Sequence, residues 1–459
     1  PVDVDTLDAR LRELAPSVQL PAAEAEGAPV NLAFHALDDF HPDRLCRRVP
    51  LLEELRRLRV RLDDPATQPE AMESLRRLLA ANGAILAAAP GAAPATPPTA
   101  PTESDAEALA RLFGGAPGPR AAPSPPTPAS ELIRAAVAPH RVAPASPQLA
   151  VYREALDDLA GRAIRGVLRD PAFRALEATW RGLASLVFGA GGDDLEWWML
   201  DAAKAEVAQD LLTAGGDLSD TALHRLLVDA ERGTFGGEPW SLLLGDYYFG
   251  PDAADARLLA ALGTLAAACG GPFVAGAYPG LLGCRDAQDL ADPARWQGIN
   301  PEAAAAWQAL RQTRAARWLA LALPRLLLRL PYGSRTEPIE AFPFDEAPDP
   351  ADPDAFLWGN PALAPTLLIA QAFASAGWDL RIDGLPDLED LPAFTFSDGE
   401  GTHLLPCAEV ALPDRAVEAI LAQGLIVLQS HRGRPTVRVP AVPSLAHPVA
   451  ELEGPWATR

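Results

Sequence analysis

The stretch WSLLLGDYYFGPDAADARLLAALGTLAAACGGPFVAGA, residues 240–277, decides the fold class. Residues 240–249 form an apolar run of strand length, 254–268 carry a helical pattern, and 272–277 form a second short apolar run. The same alternation extends outward. Strand-like runs recur at 197–201, 318–323, 378–382 and 425–429, with a helical pattern at 414–423. Upstream, Leu156, Leu159, Ala163 and Val167 mark one helical stripe. A second begins after Asp170-Pro171 with Phe173, Leu176, Trp180, Leu183 and Val187. Strands alternating with helices predict an α/β domain with a mixed or parallel sheet and helices on its faces.

Four zones follow. Residues 1–80 read as a helical segment, with Leu45, Val49, Leu52, Leu55, Leu58 and Leu62 on one stripe that starts near Asp43. Seven arginines against three acids between Asp43 and Leu62 make this stretch locally basic. Either it is a solvated face or it docks on an acidic protein surface. Residues 81–130, rich in Pro, Ala and Ser, read as a disordered linker. Within it, Ser104 and Glu107 start a short helical island of the kind that serves as a docking peptide. Residues 131–430 form the α/β body, and the Pro-rich 431–459 reads as a tail or edge extension.

The 459 residues carry a formal charge of −22, which disfavours nucleic acid as a bulk partner. Lys204 is the one lysine, so Walker-type nucleotide binding and Schiff-base chemistry are nearly excluded. No run of 18 uncharged apolar residues predicts a membrane span. The first residues are acidic and lack the pattern of a signal peptide, and a processed Met-Pro start would account for Pro1. Four cysteines without a CxxC pair fit a reducing cytoplasm.

The search for chemistry yields little. No phosphate-loop, zinc-protease, nucleophile-elbow or dinucleotide motif occurs, and seven histidines lack ligand spacing. His35, His41 and Cys46 group together without an orienting third member. The glycine-rich stretch 233–239 leads into a strand, and Glu238 would repel phosphate, so it reads as a structural loop. Glu231, Glu238 and Asp246 offer carboxylates around that loop with nothing to show convergence. The acidic, proline-interleaved run from Asp345 to Asp354 reads as a stiff exposed loop rather than a calcium site. Arg325 and Arg329 stand inside an apolar run and demand carboxylate partners, in the same domain or in another subunit.

Five collinear segments together resemble one family. Asp170-Pro171-Ala172-Phe173-Arg174-Ala175-Leu176-Glu177-Ala178-Thr179-Trp180-Arg181-Gly182-Leu183 is the longest. It is followed by Gly233-Thr234-Phe235-Gly236-Gly237-Glu238-Pro239 and by Leu244-Gly245-Asp246-Tyr247. Then come the stretch from Leu323-Pro324-Arg325 through Arg329 to Pro331-Tyr332-Gly333, and Leu357-Trp358-Gly359-Asn360. These resemble the large subunit of the type VI secretion contractile sheath (TssC/VipB). Upstream, Phe34-His35-Ala36-Leu37-Asp38-Asp39-Phe40-His41-Pro42-Asp43, with Val49-Pro50 following, resembles the sheath small subunit (TssB/VipA).

The resemblance implies a structural role without catalysis, cofactor or metal, in the cytoplasm. It implies partners among sheath-family subunits, either copies of itself or a small-subunit homologue. Baseplate or tube proteins and an AAA+ unfoldase are further implied partners; nucleic acid and membrane insertion are not. Family large subunits continue past the region matching 414–430, which points to a shortened or specialised subunit at a sheath end, at the baseplate or in an atypical assembly. The alternative is a non-polymerising sheath-fold adaptor or regulator. An enzyme centred on residues 233–246 is the third class.

Overall fold

The computed structural model describes residues 1–21, 29–82, 147–190, 194–232, 237–397, 399 and 401–458. The predicted linker beyond Asn82, its helical island, and Phe235 and Gly236 lie outside the described residues. Residues 1–53 and 161–459 form one compact unit, and residues 54–160 a second.

The N-terminal segment is not wholly helical. Helix α1 (Leu7–Leu14) precedes a hairpin of β1 (Ser17–Leu20) and β2 (Val30–Ala33), paired antiparallel with Ser17 opposite Ala33. The helix expected from Asp43 to Leu62 breaks into α2 (Pro42–Arg48) and α3 (Pro50–Asp63). Val49 between them is extended, because a residue before proline is driven out of the helical region and Pro50 has no N–H to continue the ladder. Leu45, Val49, Leu52, Leu55, Leu58 and Leu62 are all buried.

The second unit contains most of α3, α4 (Gln68–Ala81) and the first part of α5 (Pro147–Leu168). Leu55, Leu58, Leu62, Ala71, Leu75, Leu79, Tyr152 and Leu156 are buried in it. Asp157 accepts from Arg59, Asp63 accepts from Arg153, and the Tyr152 hydroxyl accepts from Arg76. The arginines of this stretch are therefore engaged in part by its own acids.

In the body, α5 ends at Leu168 and α6 (Pro171–Gly189) begins after Asp170, whose carboxylate accepts from the Ala172 and Phe173 amides at 3.0 Å. Helix α7 (Lys204–Thr213) leads to β3 (Leu243–Phe249), α8 (Ala253–Cys269) and β4 (Phe273–Ala277). Gly270, at φ 89°, closes α8 in the left-handed conformation that a side chain resists. Helix α9 (Pro301–Arg311) and β5 (Leu319–Leu323) follow, then an antiparallel pair of β6 (Leu326–Arg329) and β7 (Leu357–Gly359). The chain continues through α10 (Leu363–Ala376), the hairpin β8 (Thr395–Ser397) and β9 (Thr402–Leu404), and α11 (Asp414–Leu421). It ends with β10 (Ile426–Val427) and the small pair β11 (Gln429–Ser430) and β12 (Val437–Arg438).

The main sheet is parallel, in the order β10-β5-β4-β3, and the pairs outside it are antiparallel. Alternation along the strands builds two cores. Phe273, Ala275, Leu319, Leu321 and Leu323 face one apolar cluster with α8 and α11. Val274, Ala320, Ala322 and Ile426 face another with α10. A sheet buried on both faces needs near-continuous apolar strands, as β4 and β5 are.

Two predicted strands are absent. At 197–201 only Trp197 bridges, to Val2, and 378–382 is an irregular turn in which Leu380 and Ile382 are core anchors. Residues 431–458 do not trail from the body. Val437, Val439, Val442, Leu445 and Leu452 are buried, the Leu445 amide donates to the Leu319 carbonyl (2.9 Å), and Arg317 pairs with Glu453 (2.9 Å). Proline limits the ladder there to the short β11–β12 pair and isolated bridges, but does not prevent burial of the aliphatic residues between.

Candidate functional site: a buried ion cluster and the segment docked on it

Helix α6, strand β6 and the acidic loop after Tyr332 bring Glu177, Arg329 and Glu346 together in the interior, with exposures of 0%, 7% and 4%. Arg329 donates from Nε (2.7 Å) and Nη2 (3.2 Å) to Glu177, and from Nη1 (2.7 Å) and Nη2 (3.0 Å) to Glu346. Its remaining Nη1 proton goes to the Leu330 carbonyl (3.1 Å). All five guanidinium donors are thus satisfied. Arg181 adds a second cation, donating to Glu177 (2.7 Å) and to the Tyr332 hydroxyl (3.0 Å). The Tyr332 amide donates to Glu346 (2.8 Å), and its ring lies 4.3 Å from the Arg329 guanidinium. Two cations and two anions balance.

The electrostatics follow. Burial pushes the Glu177 carboxyl up, but Arg329 and Arg181 outweigh it and hold the group below its ordinary value. Burial works against the Arg329 cation too, and the two carboxylates hold it well above the usual guanidinium value. With every donor engaged, the cluster is a clamp between three segments rather than an acid–base pair.

The other motif residues also work within the fold. Arg325 pairs with Glu409 through two hydrogen bonds (2.8 and 2.5 Å), so both arginines of the apolar run find carboxylates in their own chain. Pro324 follows a cis bond from Leu323. The Asn360 amide donates to the Tyr247 carbonyl (3.1 Å) and accepts from the Ala362 amide (3.0 Å). A Cβ on Gly182 would stand 2.8 Å from Leu363, which sets how closely α6 approaches α10. Trp180 is buried, and Trp358 donates from its indole to the Pro353 carbonyl (2.9 Å). The Gly333 amide donates to the Glu337 carbonyl (2.9 Å), and Pro331 accepts from Thr336.

The carboxylates around the glycine-rich loop are engaged separately. Asp246 accepts from Thr179, and Glu231 accepts from the Glu238 amide (3.3 Å), with Glu238 and Pro239 exposed beyond Gly237. Among the described residues, no group of three His, Cys, Asp or Glu could hold a metal ion. Lys204 donates to the Tyr248 carbonyl and to Asp255, both at 2.7 Å, and lies 4.3 Å from the centre of the Phe249 ring.

The N-terminal segment docks on this same region. A helical turn, Leu37–Phe40, contains Asp38 and Asp39 and places Phe40 parallel to Phe34 at 4.3 Å. Both rings meet Phe173 of α6 edge-on at 5.8 Å. Beyond the buried Pro42, Asp43 accepts from the Glu340 (3.0 Å) and Ala341 (3.1 Å) amides. His41 stands edge-on to Tyr332 at 5.0 Å.

Glu409 was not singled out by sequence, Glu346 was read only as part of an exposed acidic loop, and Phe34 only as the start of the small-subunit-like motif. The signal for the carboxylates was the demand made by two arginines in an apolar run, which gives no position. The acidic loop is not wholly exposed either. Besides the buried Glu346, Asp352 pairs with Arg169 (2.8 Å), and the Asp345 and Asp354 carbonyls accept from Arg165 (2.9 Å) and Arg174 (3.0 Å).

The body is thus a parallel sheet clad in helices, with its internal charges neutralising one another. The family model "VipB: EvpB/VC_A0108, tail sheath N-terminal domain" matches residues 152–446, and the chain belongs to that family. Residues 1–83 match a separate model, "Type VI secretion system, VipA, VC_A0107 or Hcp2". A relative is the Type VI secretion system sheath protein TssC1 of Pseudomonas aeruginosa, 34% identical over 312 residues. That match covers 66% of this chain and 62% of the relative's length. No helix among the described residues is long and apolar enough to cross a membrane.

Proposed function

We propose that the chain is a structural subunit of a type VI secretion-like contractile sheath, or of its end or baseplate-proximal assembly, acting through protein–protein interfaces in the cytoplasm. The observation that carries this reading is the sheath-domain match across residues 152–446. The ion cluster fits it, since Glu177, Arg181, Arg329 and Glu346 neutralise one another and tie three segments of the fold together. In this reading those residues define the fold, and other sheath-family subunits are the partners. Baseplate or tube proteins and an unfoldase are the wider set.

Negative-stain microscopy and light scattering of the purified chain, alone and with the products of its neighbouring genes, test the proposal. Ordered rings, caps or tubes that incorporate the chain support it. A strict monomer at micromolar concentration in every mixture overturns it and favours the adaptor.

A further inference from the structure

The sheath-domain model that matches residues 152–446 does not include residues 1–83, which match a model of their own. Yet residues 1–53 and 161–459 form one compact unit. Phe173 is fully buried, with Phe34 and Phe40 edge-on to it, and the 340 and 341 amides end on the Asp43 carboxylate. A body lacking the first 53 residues would lose both contacts. The face therefore accepts a segment with two stacked rings and, three residues after the second, an acid. We infer that residues 30–43 fill, from within the same chain, a face built to receive the N-terminal segment of a separate small-subunit chain. The protein is then a self-complemented pair, closed to a second such segment. The identity of the excluded partner rests on the sheath reading above; the occupancy rests on these contacts.

A segment held in the same chain has an effective concentration on the order of 1 mM, so a free competitor near ~10 µM is excluded by about 100-fold. The test is a labelled synthetic peptide of residues 29–50, titrated by fluorescence anisotropy into the full chain and into its Phe40→Ala/Asp43→Ala variant. The variant is expected to bind at least about tenfold more tightly than the parent. Equal affinities, or no binding to a variant that keeps the parental near-UV circular dichroism, overturn the proposal. Should the variant lose its fold, a full chain carrying a protease site after Thr102 decides. Once nicked, its two parts should co-elute one to one and take up no peptide; separation, or stoichiometric uptake of peptide, overturns the inference. A chain that excludes the peptide but joins no ordered assembly upholds the self-pairing and refutes the sheath reading alone.

Discussion

Arg329 and Glu177, 152 positions apart, join through two hydrogen bonds of 2.7 and 3.2 Å inside the body. Removing one member of a buried pair leaves the other charge desolvated and unpartnered, at a cost of about 3–5 kcal/mol. Arg329→Met should lose that much in urea unfolding. Arg329→Lys should recover only part of it, because an ammonium cannot serve both carboxylates and the Leu330 carbonyl.

The same pair sets an acid limb. The folded Glu177 carboxyl lies below its ordinary value, so the unfolded chain binds its proton first as pH falls. Its contribution is complete above the unfolded value of about 4.3 and is lost as pH drops through the lower folded value. Unfolding free energies at pH 7, 5, 4 and 3 should show a constant gap between parent and Glu177→Gln down to about pH 5, narrowing below it.

Asp43 holds two backbone amides nearly 300 residues away. Asp43→Ala should cost about 1.5–3 kcal/mol, the range for hydrogen bonds to a charged group. Hydrogen exchange at the 340 and 341 amides should accelerate well beyond that at the amides of β5. Asp43→Asn, which keeps one acceptor oxygen, should fall between.

Glycines at two positions predict opposite signs. A Cβ on Gly245 would come within 2.4 Å of the Phe273 ring, in the core beneath β3, so Gly245→Ala should cost about 1–3 kcal/mol. Gly166, exposed on α5, has nothing within 4 Å, and Gly166→Ala should gain about 0.5–1 kcal/mol of helix propensity. Thermal melts of the two variants should move in opposite directions.

All four cysteines are buried thiols, and burial pushes those of Cys284 and Cys407 up to about 11. At pH 8 the native chain should react with a thiol reagent only slowly, and all four thiols should titrate in denaturant.

The strands β3, β4 and β5 and helix α8 were legible because burial on both faces of a sheet demands long apolar runs. Trp197 and the run around Leu380 carry the same apolar signal while serving as single anchors, which periodicity cannot distinguish from a ladder. The break at Val49 could have been read from Pro50, had its effect on the preceding residue outweighed the leucine stripe. The cluster was half legible: Arg329 announced a need for anions, but Glu177 and Glu346 come from distant segments with no shared local pattern. Glu346 in particular sits among prolines and acids that look solvated. The docking of Phe34 and Phe40 on Phe173 is wholly long-range, and no spacing rule carries it.

Lys204, held between the Tyr248 carbonyl and Asp255, is the sole ε-amino group of 459 residues. Reagents that seek primary amines will therefore find almost nothing to modify on its surface. Cross-linking maps of any assembly containing this protein must instead couple through its carboxylates, of which the sequence carries 61.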